Sequence, residues 1–216
     1  MSEQRTATTT TESVLEAPAV PSIGMQLRTA ASMLAVLTLI TGVAYPLAVT
    51  AVARGLLPGA SSGSLVVADD KVIGSRLLGQ PFEDPKYFWG RVSATAPSPY
   101  NGQSSAASNL GPTNPALTEA AKGRIQALRA ADPGNEASVP VDLVTSSGSG
   151  LDPHISPAAA DYQVRRVARV RKISEEQVRA LVAANTEQRD LGFLGEPRVN
   201  VLLLNAALGL ERPSVP

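Results

Sequence analysis

The stretch TAASMLAVLTLITGVAYPLAVTAVA, residues 29–53, lies between Arg28 and Arg54 and holds no charged side chain. As a helix it is about 38 Å long, enough to cross a hydrocarbon core of about 30 Å with some tilt. A buried core helix of a soluble fold is a poor match for an uncharged run of this length. A cleaved leader has a candidate small-residue site in Ala51, Val52 and Ala53. Its apolar region would be shorter, however, and the residues ahead of the run carry Glu3, Glu12 and Glu16 against Arg5 and Arg28. The run is therefore read as a retained anchor. Thr38 with Gly42, and Ala44 with Ala48, form small-xxx-small pairs that admit a neighbouring helix. Pro46 removes a ladder hydrogen bond in mid-span and predicts a kink.

Outward from the run, the chain divides into a disordered tail over residues 1–26, a transmembrane helix over 27–54 and one domain over 55–216. The tail is rich in Thr, Ser, Glu and Pro, with little to bury. Arginine and lysine counts near the two ends of the span are similar, so charge does not orient it. Among 216 residues, 19 Lys and Arg balance 19 Asp and Glu, and aromatics make up 4%. Nucleic-acid binding therefore has neither a basic surface nor stacking platforms. With no cysteine and a single histidine, disulfides and thiolate metal sites are excluded and no metal site is read.

The domain reads as α+β, a small sheet with several helices. SLVVADDKVIGS, residues 64–75, alternates about Asp69-Asp70 as a hairpin. Phe82, Tyr87, Phe88 and Trp89 cluster in QPFEDPKYFWGRVSA as a core patch. Residues 96–115 form a long loop whose Asn and Tyr side chains brace it locally. ALTEAAKGRIQALRAAD is helical, and VPVDLVTSS, residues 139–147, alternates like a strand. Ser156 and Pro157 open a helix, and Ser174 with Gln177 make a capping box for the next. PRVNVLLLNAAL reads as a final strand. Arg165, Arg166, Arg169, Arg171 and Lys172 form a basic face expected to be solvated or to meet acidic surface or phosphate.

TSSGSGLDPHIS, residues 145–156, concentrates the chemistry-bearing side chains. The G-x-S-x-G spacing of a nucleophile elbow fails, because Gly148 and Gly150 directly flank Ser149. A Ser-His-Asp site would have to use His154, and Asp152, two residues away, is read as pointing elsewhere, which argues against that site. No G-x-x-x-x-G-K-[ST] occurs. A backbone nest for an anion and a plain strand-to-helix loop both remain open.

GSLVVADDKVIGSRLLGQPF, YFWGRVSA, SNLGPTNPAL, SGSGLDPHIS and NVLLLNAAL together closely resemble the C-subunit family of the Kdp potassium-transporting ATPase, over residues 27–210. Departures are Ala106-Ala107 for a usual Gly pair, Val92 for Pro, and Asp69-Asp70 for Asp-Gly. The resemblance implies a non-catalytic accessory subunit of an ATP-driven potassium importer. Its partners would be a channel-like potassium-binding subunit and a P-type ATP-hydrolysing subunit. The chain itself contains neither D-K-T-G-T nor T-V-G-Y-G. No cofactor of its own is implied; ATP belongs to the partner, and potassium is the transported ion. The family is proposed to act as a catalytic chaperone that raises ATP affinity. In that proposal Ser146, Ser147, Gly148, Ser149, Gly150 and Gln163 would touch nucleotide. Asn109, Gly111, Asn114, Asp152 and His154 are then structural motif residues. The resemblance also implies a cytoplasmic N-terminus and an extracytoplasmic domain. A motif beyond the membrane cannot reach cytosolic ATP, so the layout favours a bracing role. The rival reading is an anchored extracytoplasmic enzyme or binding protein that works alone.

Overall fold

In the computed structural model, which describes residues 21–209, the apolar run belongs to one continuous helix, Ile23–Leu56. It comprises α1 (Ile23–Leu39), a π turn (Ile40–Ala44) and α2 (Tyr45–Leu56). Ser22 caps it by accepting the Met25 N–H, so residues 23–26, read as tail from sequence, are helical. Residues 1–20 of that tail lie outside the described residues. Pro46 does not break the helix. In a regular ladder its ring would collide with the carbonyl four residues back. The π turn accommodates it: the Tyr45 N–H bonds to Ile40 O, five residues back. Thr29, Ser32 and Thr41 donate their hydroxyls to carbonyls four residues back at 3.0, 2.8 and 2.7 Å. The described chain buries none of the most apolar window of this helix, whose mean hydropathy is 1.9.

The chain divides after Leu56, and the short α3 (Pro58–Ser61) opens the second unit. There β1 (Leu65–Ala68) and β2 (Lys71–Ser75) form the expected antiparallel hairpin. Asp69 and Asp70 hold φ of 48° and 57°, the left-handed pair of a type I′ turn. After the loop, α4 (Pro115–Ala131) starts on Asn114, whose side chain accepts the Ala116 N–H at 3.0 Å. Then come β3 (His154–Ile155), α5 (Pro157–Arg171), α6 (Glu175–Ala184), β4 (Thr186–Glu187), β5 (Arg198–Asn200) and α7 (Val201–Ala207). The second sheet is antiparallel, in the order β3-β5-β4. The α+β class holds, and the Ser174–Gln177 capping box forms in both directions.

Phe82, Tyr87, Phe88 and Trp89 are all buried, in one core with Leu128, Leu143, Val164, Val167, Val178, Val199 and Leu204. Two sequence expectations fail. Residues 139–147 are not a strand. Val141–Leu143 is a 3₁₀ turn that points Leu143 into the core and leaves Val141 70% exposed. Only one isolated bridge, Ser146 with Val92, remains of that strand. The final apolar run is strand for Arg198–Asn200 alone. The Asn200 side chain then accepts the Leu203 N–H at 3.1 Å and starts α7. A run apolar on every side has no periodicity to separate strand from buried helix.

Candidate functional site

The serine and glycine loop ends at a crossing of three chain segments. The Ser147 N–H donates to Val92 O at 3.2 Å. Ser147 itself is buried, and its Oγ accepts the Gly150 N–H at 2.8 Å. Ser149 Oγ accepts the Leu151 N–H at 3.1 Å, and Ser146 Oγ donates to Ser108 Oγ at 3.0 Å. The carbonyls are engaged as well. Ser149 O accepts from the Ala106 N–H and from Ser105 Oγ, each at 3.0 Å, and Gly150 O accepts from Ser93 Oγ at 2.7 Å. Gly150 has φ +69°, and a Cβ there would lie 2.6 Å from both Ala106 O and Thr95 Cγ2. Only glycine fits. Gly148, at the exposed apex, has open space around it.

Asp152 and His154 lie together, which corrects the reading that they point apart: side chains two residues apart on extended backbone share a face. Asp152 Oδ1 accepts the His154 N–H at 2.9 Å and stands 3.6 Å from His154 Nδ1. Its Oδ2 is 3.2 Å from Arg91 Nη1. The turn that Asp152 makes onto its own backbone two residues on brings the ring alongside. His154 Nε2 faces Glu187 Oε2 at 4.0 Å rather than a serine hydroxyl. Glu187 in turn binds Arg198 at 2.9 Å and Arg76 at 3.5 Å. The result is a chain of polar contacts that ties the loop to β3, β4 and β5 and to Arg76, just past β2. Burial alone would raise the Asp152 carboxyl, but hydrogen bonds from His154 and Arg91 outweigh it and hold the group below its ordinary value.

Gln163 is 1% exposed, so no solvent ligand reaches it in this fold. Its Oε1 accepts the Trp89 N–H at 2.8 Å and Arg166 Nη2 at 2.6 Å. Its Nε2 donates to the Trp89 and Ala159 carbonyls, each at 3.1 Å. The basic face of α5 is only partly the expected solvated one: Arg165, Arg169 and Lys172 are exposed, but the other two cations pack inward. Arg166 is buried, lies 4.5 Å over the Trp89 ring and donates to Pro85 O and Tyr87 O. Burial lowers its pKa to about 10. Arg171 donates to Lys86 O at 2.7 Å and stacks on Tyr87, Arg169 pairs with Asp132 at 2.7 Å, and Arg165 donates to Gly134 O at 2.8 Å. The helix thus bolts down the irregular 85–89 segment. Asn205, which sequence reading passed over, does the same for Phe88, with bonds of 2.8 and 3.0 Å to its N–H and carbonyl. One polar residue in the apolar run VLLLNAAL was the available signal. Of the other motif residues, Asn109 turns the loop at φ +52°, Gly111 O accepts the Asn114 N–H at 3.0 Å, and Asn114 caps α4.

Two clefts meet at Arg91. One, of about 460 Å³, is walled by Leu110, Leu117 and Val144, with Tyr100 and Arg124 at its floor. The Tyr100 hydroxyl donates to Arg91 O at 2.5 Å, and burial pushes its pKa up to about 12. Arg124 donates to Leu143 O and Gly90 O. The other cleft, of about 640 Å³ and more open, is edged by Asp142, Asp152, His154 and Arg198. In the second cleft Ser156 Oγ donates to Asp142 Oδ1 at 3.2 Å, and the same oxygen accepts the Ala159 N–H at 3.0 Å as the cap of α5. The arrangement holds segments together.

Residues 27–209 match the family described as KdpC: K+-transporting ATPase, c chain. The chain is 67% identical over 182 residues to the "Potassium-transporting ATPase KdpC subunit" of Sorangium cellulosum, which covers 84% of this chain and 96% of that one. It is 64% identical to the subunit so named in Polaromonas naphthalenivorans, covering 87% of this chain and 95% of that one. For that of Ralstonia nicotianae the identity is 56%, with 94% and 98% covered. The match runs through the apolar helix, the serine and glycine loop and the ion-pair chain alike, and the chain therefore belongs to the KdpC family, the c chains of K+-transporting ATPases.

Proposed function

We propose that this chain is a non-catalytic accessory subunit of an ATP-driven potassium importer, anchored by Ile23–Leu56 with its domain outside the cytoplasm. The observation that carries the reading is that the family match spans both the apolar helix and the domain. The small-residue pairs of the helix seat it against the spans of a channel-like, potassium-binding chain and a P-type, ATP-hydrolysing chain. The domain is a brace. The hydroxyls of Ser146, Ser147 and Ser149, with the whole of Gln163, bond within it, which favours support over nucleotide contact. Any effect on ATP affinity then passes through the ATP-hydrolysing partner, to which both the nucleotide and the phosphorylation step belong.

Co-expression with the other chains of the ATPase tests this. The chain is expected to co-purify with them in detergent, and its deletion to abolish potassium-stimulated ATP hydrolysis. A chain that runs alone, with hydrolysis unchanged on its deletion, would instead establish an anchored protein working by itself.

A further inference from the structure

The connection between β4 and β5, QRDLGFLGEP over residues 188–197, contributes nothing to the core. Its backbone closes on itself. Asp190 N–H donates to Leu194 O and Leu194 N–H to Asp190 O, both at 2.9 Å, and Gly192 N–H donates to Arg189 O at 3.1 Å. Ion pairs brace the base, Arg189 with Glu196 at 2.6 Å and Arg198 with Asp190 at 3.8 Å. On this braced loop the largest side chains face solvent: Leu191 is 83% exposed, Phe193 69% and Leu194 49%. Leu191 also sits at φ +54°. The left-handed region costs a bulky L-residue roughly 1 kcal/mol, and no burial among the described residues offsets it.

We propose that residues 191–194 are an apolar anchor that inserts into an apolar socket on another chain of the K+-transporting ATPase. The inference rests on the accessory-subunit reading and names the surface that such a subunit docks with. Charge decides between a protein socket and a lipid surface. Both cations at the base are neutralised within the loop and sheet, Arg189 by Glu196 and Arg198 by Glu187 and Asp190. A balanced, paired rim around an apolar tip is the anatomy of a protein interface. Binding to anionic headgroups calls for unpaired cations. Three side chains offer on the order of a few hundred Å² of apolar surface, against about 1,600 Å² for a whole interface. The loop is thus one anchor within a larger contact, of the kind that concentrates binding energy.

The test uses the full chain co-expressed with the other chains of the ATPase. With the photo-crosslinker p-benzoylphenylalanine at position 193, irradiation in membranes is expected to join this chain to another chain of that ATPase. Adducts with lipid alone, or none, overturn the proposal. Leu191→Ser combined with Phe193→Ser is expected to cut retention in the complex at least about tenfold. Melting of the separately purified variant stays unchanged, because neither side chain is buried. Undiminished retention, or a lowered melting temperature that makes the loop part of the fold, overturns it too. If the wild-type chain co-purifies and the double variant does so equally, the anchor fails and the accessory role stands. A wild-type chain that does not co-purify removes both.

Discussion

At the scale of single residues, the serine and glycine loop separates glycines that the fold requires from one that it does not. Gly150 combines φ +69° with backbone 2.6 Å from any Cβ, whereas Gly148 has nothing within 4 Å. Gly150→Ala should cost about 2–4 kcal/mol and Gly148→Ala less than about 0.5 kcal/mol in chemical denaturation. If Gly148 instead approached a ligand in the complex, the second substitution would leave stability alone and weaken assembly or ATP use. Asp152 gives a pH signature with a definite sign. Its folded value lies below the ordinary one of about 4, so the unfolded chain binds more protons in between. Its contribution is full above the ordinary value and is lost as pH falls through the lowered one. Asp152→Asn should therefore flatten the rise of stability with pH across that acidic window, as read from denaturation midpoints. At neutral pH the cost should be about 1–2 kcal/mol, modest because the pair with Arg91 is partly solvated.

Among elements, the hairpin and the long helix show how local chemistry and its exceptions coexist. Asp69 and Asp70 both adopt left-handed backbone for a type I′ turn, a conformation that glycine accepts at the second position without strain. Asp70→Gly should raise stability by about 0.5–1 kcal/mol without moving either strand, measurable as an upward shift in thermal midpoint. In the long helix Pro46 is legible as an interruption, yet the chain resolves it with a π turn and the helix runs on to Leu56. Caps were the most legible features: Ser156, Ser174 and Pro157 all stand where their sequence signals put them. The strand read into residues 139–147 failed because alternation reports which side chains are buried. A 3₁₀ turn satisfies the same pattern when only Leu143 needs covering.

For the whole molecule, the arrangement is an apolar helix followed by a domain in which the motif residues Ser147 and Gln163 are buried while Asn109, Asn114 and Ser149 are exposed. Its placement across the membrane is open to a clean test, since the chain has no cysteine. Ser147 is buried and unsuited to a label, but Ser138 is exposed. With an impermeant maleimide on intact cells, Ser138→Cys should label and Ser13→Cys should not. Labelling at Ser13 alone would invert the orientation and return the loop to the side that holds ATP. The sequence by itself determined the apolar helix, the hairpin, the helix caps, the aromatic core patch and the family, because each depends on neighbours within a few turns or on contiguous motifs. Tertiary structure alone decided what the motif's side chains do. Gln163 and Arg166 reach back 74 and 79 residues to Trp89 and Tyr87, and His154 meets Glu187 only because β5 pairs with both β3 and β4. Bonds that long-range folding brings together leave no period in the chain. A basic stripe and a nucleotide-like motif therefore look the same in sequence whether they face a ligand or hold the core.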